Sequence, residues 1–343
     1  MSLQLKKLGD QVMVITGATS GIGLVTARMA AESGATLVLA ARNETALDRL
    51  VNELTANGAR AIAVAADVAH EGQVENIAAQ AIANFGRFNT WVNNAGVSIY
   101  GKLEDVSTED LRQLFETNFW GVVHGSRVAV RHLKQTGGAL INIGSTLSER
   151  SIPLQGMYCA SKHAVKGFTE ALRMELDAEN APISITLIKP SAIDTPYKEH
   201  AKSYLSVEPQ NPPPVYAPET VAETILHCAE NSVRDVFVGG GGRLLASAGD
   251  LAPRFTDRVM EKLMIEGQKT DRPAGARMKE SLWEPNDDSL TERGDYEGHV
   301  AESSIYTKAV LHPRVTGTVA VGAVAALGAG ILYGLARRTD REH

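Results

Sequence analysis

Cysteine is nearly absent. Cys159 and Cys228 are the only two in 343 residues, and no CxxC spacing occurs. That excludes a disulfide framework and a thiolate zinc site, and it fits a reducing cytoplasm. Long basic runs are absent as well. Lys and Arg total 34 against 40 Asp and Glu, a net charge of −6, so nothing favours a nucleic-acid partner. No His/Cys/Asp cluster has metal-ligand spacing, so no metal is expected. Internal repeats are missing. The opening "MSLQLKKLGDQVMVITGATSG" lacks the long apolar core of a signal peptide: after Lys6 and Lys7 comes a polar Gly-Asp-Gln and then a short strand-like run.

Charge is also missing from one long segment. Residues 316–336, "TGTVAVGAVAALGAGILYGLA", carry none, with Arg314 before them and Arg337 and Arg338 after. As a helix this run could cross a hydrocarbon core of about 30 Å. Gly330 and Gly334 form a GxxxG that would let two such helices pack closely. The expectation is a cytoplasmic catalytic domain tethered to a membrane through residues 315–338. The rival is a helix folded back over a substrate cleft or a dimer interface. Its richness in Gly and Ala makes insertion marginal, and the arginines beyond it run against the positive-inside tendency.

What is present over the first 240 residues is an alternation. Short β-branched or almost continuously apolar runs fall at 12–16, 36–41, 61–65, 90–93, 139–143, 183–188 and 235–238. Helical spacing fills 22–33, 44–57, 71–85, 108–134, 157–179 and 218–231. Runs such as "TLVLAA" suit strands buried on both faces, and strand–helix alternation predicts a doubly wound α/β fold with ligands beyond the carboxyl ends of the strands. The predicted domain covers 1–245. An extension, helical at 251–266, follows over 246–314. Its part from 267 to 304 is polar and acidic, with prolines and glycines, and reads as a linker with little core.

"VMVITGATSGIG" places Gly17, Gly21 and Gly23 directly after the first strand and at the start of a helix. Glycines there let the chain turn tightly and bring backbone N–H groups to a pyrophosphate at a helix N-terminus. After the second strand, "LVLAARNE" offers Arg42 where a cofactor with a free ribose 2′-hydroxyl would favour a carboxylate. An arginine suits a 2′-phosphate, so NADP(H) is favoured over NAD(H).

Seven pieces then occur in one order: "TGATSGIG" (16–23), Asp67-Val68, "NNAG" (93–96), "TNFWG" with Asn118, "IGS" with Ser145, "YCASK" (158–162) and "KPSAIDTP" (189–196). In these the chain resembles the short-chain dehydrogenase/reductase family over roughly residues 9–240. The resemblance implies a Rossmann-like domain on a seven-stranded parallel sheet, a nicotinamide cofactor, and a homodimer or homotetramer. It implies catalytic residues Asn118, Ser145, Tyr158 and Lys162. It implies cofactor contacts from Gly17, Thr19, Ser20, Gly21, Ile22, Gly23, Arg42, Asn43, Asp67 and Val68, and from Asn94, Ala95, Gly96, Tyr158, Lys162, Pro190 and Thr195. The chain departs from the family in Pro190-Ser191, where Pro-Gly is frequent, and in about ninety residues beyond the usual end.

Tyr158 and Lys162 lie four apart, hence on one helix face. A free phenol is a poor acid/base at neutral pH, and a neighbouring ammonium is expected to lower its pKa. Tyr158 would then exchange a proton with an alcohol or carbonyl oxygen that Ser145 holds. Lys162 would bond the nicotinamide ribose, and the family implies a water-linked proton relay through Asn118. The bland readings are an amphipathic helix for the Tyr/Lys pair, a turn for Ser145 and for Asn94–Gly96, a helix-kink partner for Asn118, and a helix cap for Asp67. Cys159 is expected to be a small buried hydrophobe. The expected function is NADP(H)-dependent interconversion of an alcohol and a carbonyl. The alternatives are a cofactor-binding regulator or scaffold without turnover and, more weakly, an epimerase or dehydratase.

Overall fold

The computed structural model describes residues 3–241, 243, 251–275, 280–285 and 290–311. The chain divides after Ser304 into two compact units. The first carries everything that follows. The second opens with a short helix, Ile305–Leu311. The uncharged run 316–336 lies outside the described residues. Among the described residues no helix is long and apolar enough to cross a membrane.

Seven parallel strands form the central sheet: β1 (Val12–Thr16), β2 (Thr36–Ala41), β3 (Arg60–Ala65), β4 (Thr90–Asn93), β5 (Gly138–Ile143), β6 (Ile183–Pro190) and β7 (Asp235–Val238). Their order is β7-β6-β5-β4-β1-β2-β3. The continuous apolar runs are explained by burial: every residue of β1, β4 and β6 is buried. Helices cover the faces. They are α1 (Gly21–Glu32), α2 (Glu44–Ala56), α3 (Glu71–Phe85), α4 (Thr108–Phe115), α5 (Gly121–Thr136), α6 (Gly156–Ala178) and α7 (Pro218–Glu230). Helix α1 packs against α7, and α3 against α5. The order reverses between β1 and β4, which in such sheets opens a crevice at the carboxyl ends of the strands.

The stretch 108–134, expected as one helix, is helical throughout but not uniformly α. Between α4 and α5 lies a single π-helical turn, Glu116–Trp120, and Asn118 sits in it fully buried. Such turns are tolerated where a side chain must be re-aimed. Below it a polar ladder ties the centre of the sheet to its helices. Trp91 Nε1 donates to Asn93 Oδ1 (2.8 Å), Asn93 Nδ2 to Asn142 Oδ1 (2.8 Å), and Asn142 Nδ2 to Thr169 Oγ1 (3.0 Å). Each buried amide is thereby satisfied, as its burial demands.

Among the described residues of the extension, α8 (Pro253–Gly267) lies close to the expected helix. The stretch expected to be a linker is not one: it packs on the first domain. Lys269–Pro273 pairs antiparallel with Val207–Pro209. Leu282 is fully buried in a cluster with Val97, Ile99, Val106 and Leu114. Val300–Ala301 pairs with Val215–Tyr216, which pairs in turn with Ala192–Ile193. The reason is backbone pairing: a polar segment with one or two buried anchors can be held by main-chain hydrogen bonds that composition does not reveal. Leu282→Ala should therefore cost about 2–4 kcal/mol in a denaturant melt, as buried leucines do. A change near zero would mean that the segment adds nothing to the core.

Candidate active site

The carboxyl ends of β1 and β4 are stitched together. Thr16 Oγ1 accepts the backbone N–H of Asn94 (3.0 Å) and of Ala95 (3.2 Å). Asn94 Nδ2 donates back to the carbonyls of Thr16 (3.0 Å) and Gly17 (3.1 Å). Gly17 has φ +66°, and a Cβ there would stand 2.8 Å from Ala95 Cα. A Cβ at Gly23 would be 2.0 Å from the Gly17 carbonyl oxygen, so Gly23 lets α1 pack under the turn and does not itself line the cleft. Only glycine serves at these two positions.

Above the turn lies a cleft of about 210 Å3. Gly17, Thr19, Ser20, Gly21 and Ile22 form one wall, Arg42, Asn43, Asp67 and Val68 a second, and Asn94, Ala95, Gly96 and Thr195 a third. The backbone-lined turn at the N-terminus of α1 suits a pyrophosphate, which side chains would exclude. Asn43 also caps α2 by accepting the Ala46 N–H at 2.9 Å. Asp67 closes its own turn by accepting the Ala69 N–H at 2.9 Å, and His70 stands at the N-cap position of α3.

Part of the extension reaches this cleft. Ser281 and Pro285 line it. Arg42 Nη1 donates to the carbonyls of Leu282 (3.4 Å) and Trp283 (3.1 Å), and Nη2 to that of Ser281. The Leu290 N–H donates to the Thr19 carbonyl (2.7 Å), and the Gly21 N–H donates to the Thr291 carbonyl (2.9 Å). Arg28 pairs with Glu292 at 2.6 Å. These contacts leave no mark in the sequence, because nearly all of them end on main-chain atoms.

A second cavity, about 510 Å3, adjoins the first and shares Ile22, Asn94, Gly96, Thr195 and Tyr197 with it. Ser145, Tyr158, Lys162 and Pro190 line it. Ser145 follows β5 and caps a short 3-10 turn, so its Oγ accepts the Leu147 N–H at 3.0 Å while its own proton remains to be donated. Tyr158 and Lys162 share a face of α6, with Nζ 5.7 Å from the phenol ring centroid. Lys162 Nζ donates to the Ile143 carbonyl at 2.9 Å. Asn118 lines neither cavity. Its Oδ1 accepts the Val97 N–H (2.8 Å), and its Nδ2 donates to the Val97 carbonyl (2.9 Å) and to Ser161 Oγ (3.3 Å). Ser191, in place of the frequent glycine, turns its hydroxyl to the Gly239 carbonyl at 3.4 Å. Cys159 is buried, and burial pushes its thiol up.

The electrostatics differ from the expectation. Burial pushes the Tyr158 phenol up to about 12 and the Lys162 ammonium down to about 8. Removing both groups from water disfavours both charged forms, and at Tyr158 this outweighs the hydrogen bonds from Tyr197 and Ser145 that favour the phenolate. Leu147, Ile152, Ile193, Pro212 to Pro214 and Met264 make most of the remaining wall apolar. Three further polar residues went unnoticed in the sequence. Tyr197 packs edge-to-face on Tyr158 with ring centroids 5.5 Å apart, and Gln155 and Gln268 stand behind it. The position of Gln155, three residues before Tyr158, was the one available hint.

The short chain dehydrogenase family model matches residues 11–205. The uncharacterized oxidoreductase YxnA of Bacillus subtilis is 51% identical over 326 residues, 94% of this chain and 91% of that protein. A short-chain dehydrogenase/reductase from Burkholderia phymatum, solved with NAD, superposes with a TM-score of 0.62 at 27% identity, covering 79% of this chain and 100% of that one. An alcohol dehydrogenase from Thermococcus sibiricus, solved with 5-hydroxy-NADP, gives 0.59 at 27% identity over 66% of this chain and 95% of that one. The match over more than half the chain, together with the seven-stranded sheet and its crevice, makes this protein a member of the short-chain dehydrogenase family.

Proposed function

We propose that the protein is an oxidoreductase that uses a nicotinamide dinucleotide to interconvert an apolar carbonyl compound and its alcohol. The observation that carries this reading is the junction of the two cavities: Ser145, Tyr158 and Lys162 line the second, which shares Ile22, Asn94, Gly96 and Thr195 with the glycine-turn cleft. The cofactor, when bound, supplies or takes the hydride at the carbonyl carbon. The chain's own residues handle the oxygen. Ser145 donates a hydrogen bond to it. Tyr158 gives it a proton in reduction and takes that proton back in oxidation. Lys162, held on the Ile143 carbonyl beside the ring, favours the phenolate once the proton has left. A cationic nicotinamide ring would act on Tyr158 in the same sense, against the effect of burial.

NADP(H) is the favoured cofactor, because Arg42 and not a carboxylate follows β2 in the cleft wall. An apolar substrate is supported by the wall of Leu147, Ile152, Ile193 and Met264. A membrane tether rests on the uncharged sequence at 316–336 alone. One observation favours a second reading, a nucleotide-binding protein without turnover: extension carbonyls already accept from Arg42 and from the Gly21 N–H.

Two outcomes follow for NADPH consumption. With any accepted ketone, Tyr158→Phe should lower kcat by about 10²-fold or more while leaving NADPH affinity near that of the wild type, the range for loss of a general acid. Activity within a few-fold of wild type would remove Tyr158 from the mechanism. Across a series of aliphatic ketones, each added methylene should raise kcat/KM about 3–4-fold until the cavity is filled, from ~0.8 kcal/mol per buried CH2. A flat series would rule out an apolar substrate. NADPH binding with no turnover on any carbonyl would select the second reading.

A further inference from the structure

Besides Asn94, which the cavity shares with the glycine-turn cleft, two amides line the cavity of Ser145, Tyr158 and Lys162: Gln155 and Asn211. They are only 4% and 7% exposed. An unspent donor or acceptor on so buried a group is costly, so each amide needs an account. Asn211 Nδ2 donates to the Ile193 carbonyl at 3.0 Å. A carbonyl can only accept, so this bond fixes the sense of the amide and turns Oδ1 away from Ile193. Among the described residues nothing donates to Oδ1, and it is not one of the atoms enclosed without a partner. Gln155 is fixed as well. Gln268 Nε2 donates to the carbonyls of Pro153 (3.0 Å) and Met264 (2.8 Å), so Gln268 Oε1 accepts from Gln155 Nε2 at 2.7 Å. Gln155 Oε1 then accepts the Tyr197 hydroxyl at 3.0 Å. An amide nitrogen has two protons. The second proton of Gln155 Nε2 has no acceptor among the described residues.

Gln268 brings the two amides together. Its side chain holds Gln155, and its backbone carbonyl accepts the N–H of Gln210, the residue before Asn211, at 2.9 Å. Met264, one turn earlier, lines the same cavity. We propose that Gln155 and Asn211 form a subsite for a hydroxyl group of the substrate remote from the reacting carbon, so that the substrate is an apolar hydroxyketone or the matching diol. A hydroxyl has one proton and free lone pairs. It donates to Asn211 Oδ1 and accepts from Gln155 Nε2, which uses both unspent groups at once. A second carbonyl or an ether oxygen only accepts and leaves Asn211 unpaired, and an alkyl group leaves both unpaired. A carboxylate would set its charge against Asn211 Oδ1. The assignment rests on the reading of this cavity as the substrate site, and it adds the class of substrate. Gln155 and Asn211 bind and orient, and they take no part in proton transfer. The apolar wall holds the carbon skeleton. Such a site discriminates, because the wrong ligand leaves buried polar groups without partners. Gln268, which organises it, belongs to the extension, outside the segment that the family model matches.

The test compares methyl ketones of increasing chain length that end in a hydroxyl, a methyl ether or a methyl group. Dissociation constants from the full chain are measured by saturation-transfer NMR with the oxidised nucleotide present, with which a ketone does not react. Turnover is measured separately as kcat/KM with NADPH. At one chain length the hydroxyketone should bind about tenfold more tightly than either analogue, the worth of one or two hydrogen bonds. Asn211→Leu, close in size, should bring hydroxyl and ether to within about twofold of each other, since both still accept from Gln155. Equal binding of the three at every chain length would mean that the amides hold only water, and it would overturn the subsite, as would no binding of any. The wild-type series decides the matter if Asn211→Leu does not fold. A hydroxyl preference in binding without turnover would refute the proposed function and leave the subsite standing. Turnover of ketones with no hydroxyl preference would refute the subsite alone.

Discussion

Thr16 and Asn94 hold the carboxyl ends of β1 and β4 together, and the site depends on that junction. Through four hydrogen bonds it brings the glycine turn and the Asn94–Gly96 loop to one crevice. The junction tolerates no side chain at Gly17 or Gly23, since each would strike backbone. The ladder Trp91–Asn93–Asn142–Thr169 extends the same order one strand further and into α6. Strand β5 thereby presents Ser145 at its end, and α6 presents Tyr158 and Lys162 beside it. The catalytic face is thus a consequence of how the centre of the sheet is tied to its helices.

Two forces compete over Tyr158. Burial favours the neutral phenol and also weakens the ammonium meant to offset it. Hydrogen bonding from Tyr197 and Ser145 favours the phenolate. Such a balance suits a group that must both give and take a proton, because a modest change in nearby charge decides its state. The apolar wall raises the stakes of each polar contact, since a low local dielectric strengthens every hydrogen bond made there.

Much of the fold was legible because parallel, doubly covered strands leave continuous apolar runs, and each of the seven expected strands lies within two residues of an observed one at either end. The glycine turn and the Tyr158/Lys162 spacing were legible because each carries a geometric need that few residue types meet. The π turn at Asn118 was not, since it leaves the helical spacing on either side almost unchanged. The 267–304 segment misled because its anchors are few. Leu282 is buried, but Arg42, Thr19 and Gly21 hold the rest through main-chain atoms, which any sequence supplies. Asp67 showed the limit of local reading: a carboxylate four residues before a helix resembles a cap, whereas here it closes its own turn. Gln155, Tyr197 and Gln268 were invisible as a group because they are joined only in space.

The most direct test of the account is nucleotide binding by the full chain, followed through nicotinamide fluorescence with NADPH and with NADH, beside Arg42→Asp. The account predicts that both bind, that NADPH binds about tenfold or more tightly through a charge-assisted contact, and that Arg42→Asp abolishes the difference. Binding of neither nucleotide would contradict it, because the glycine turn and the crevice above it would then serve some other purpose.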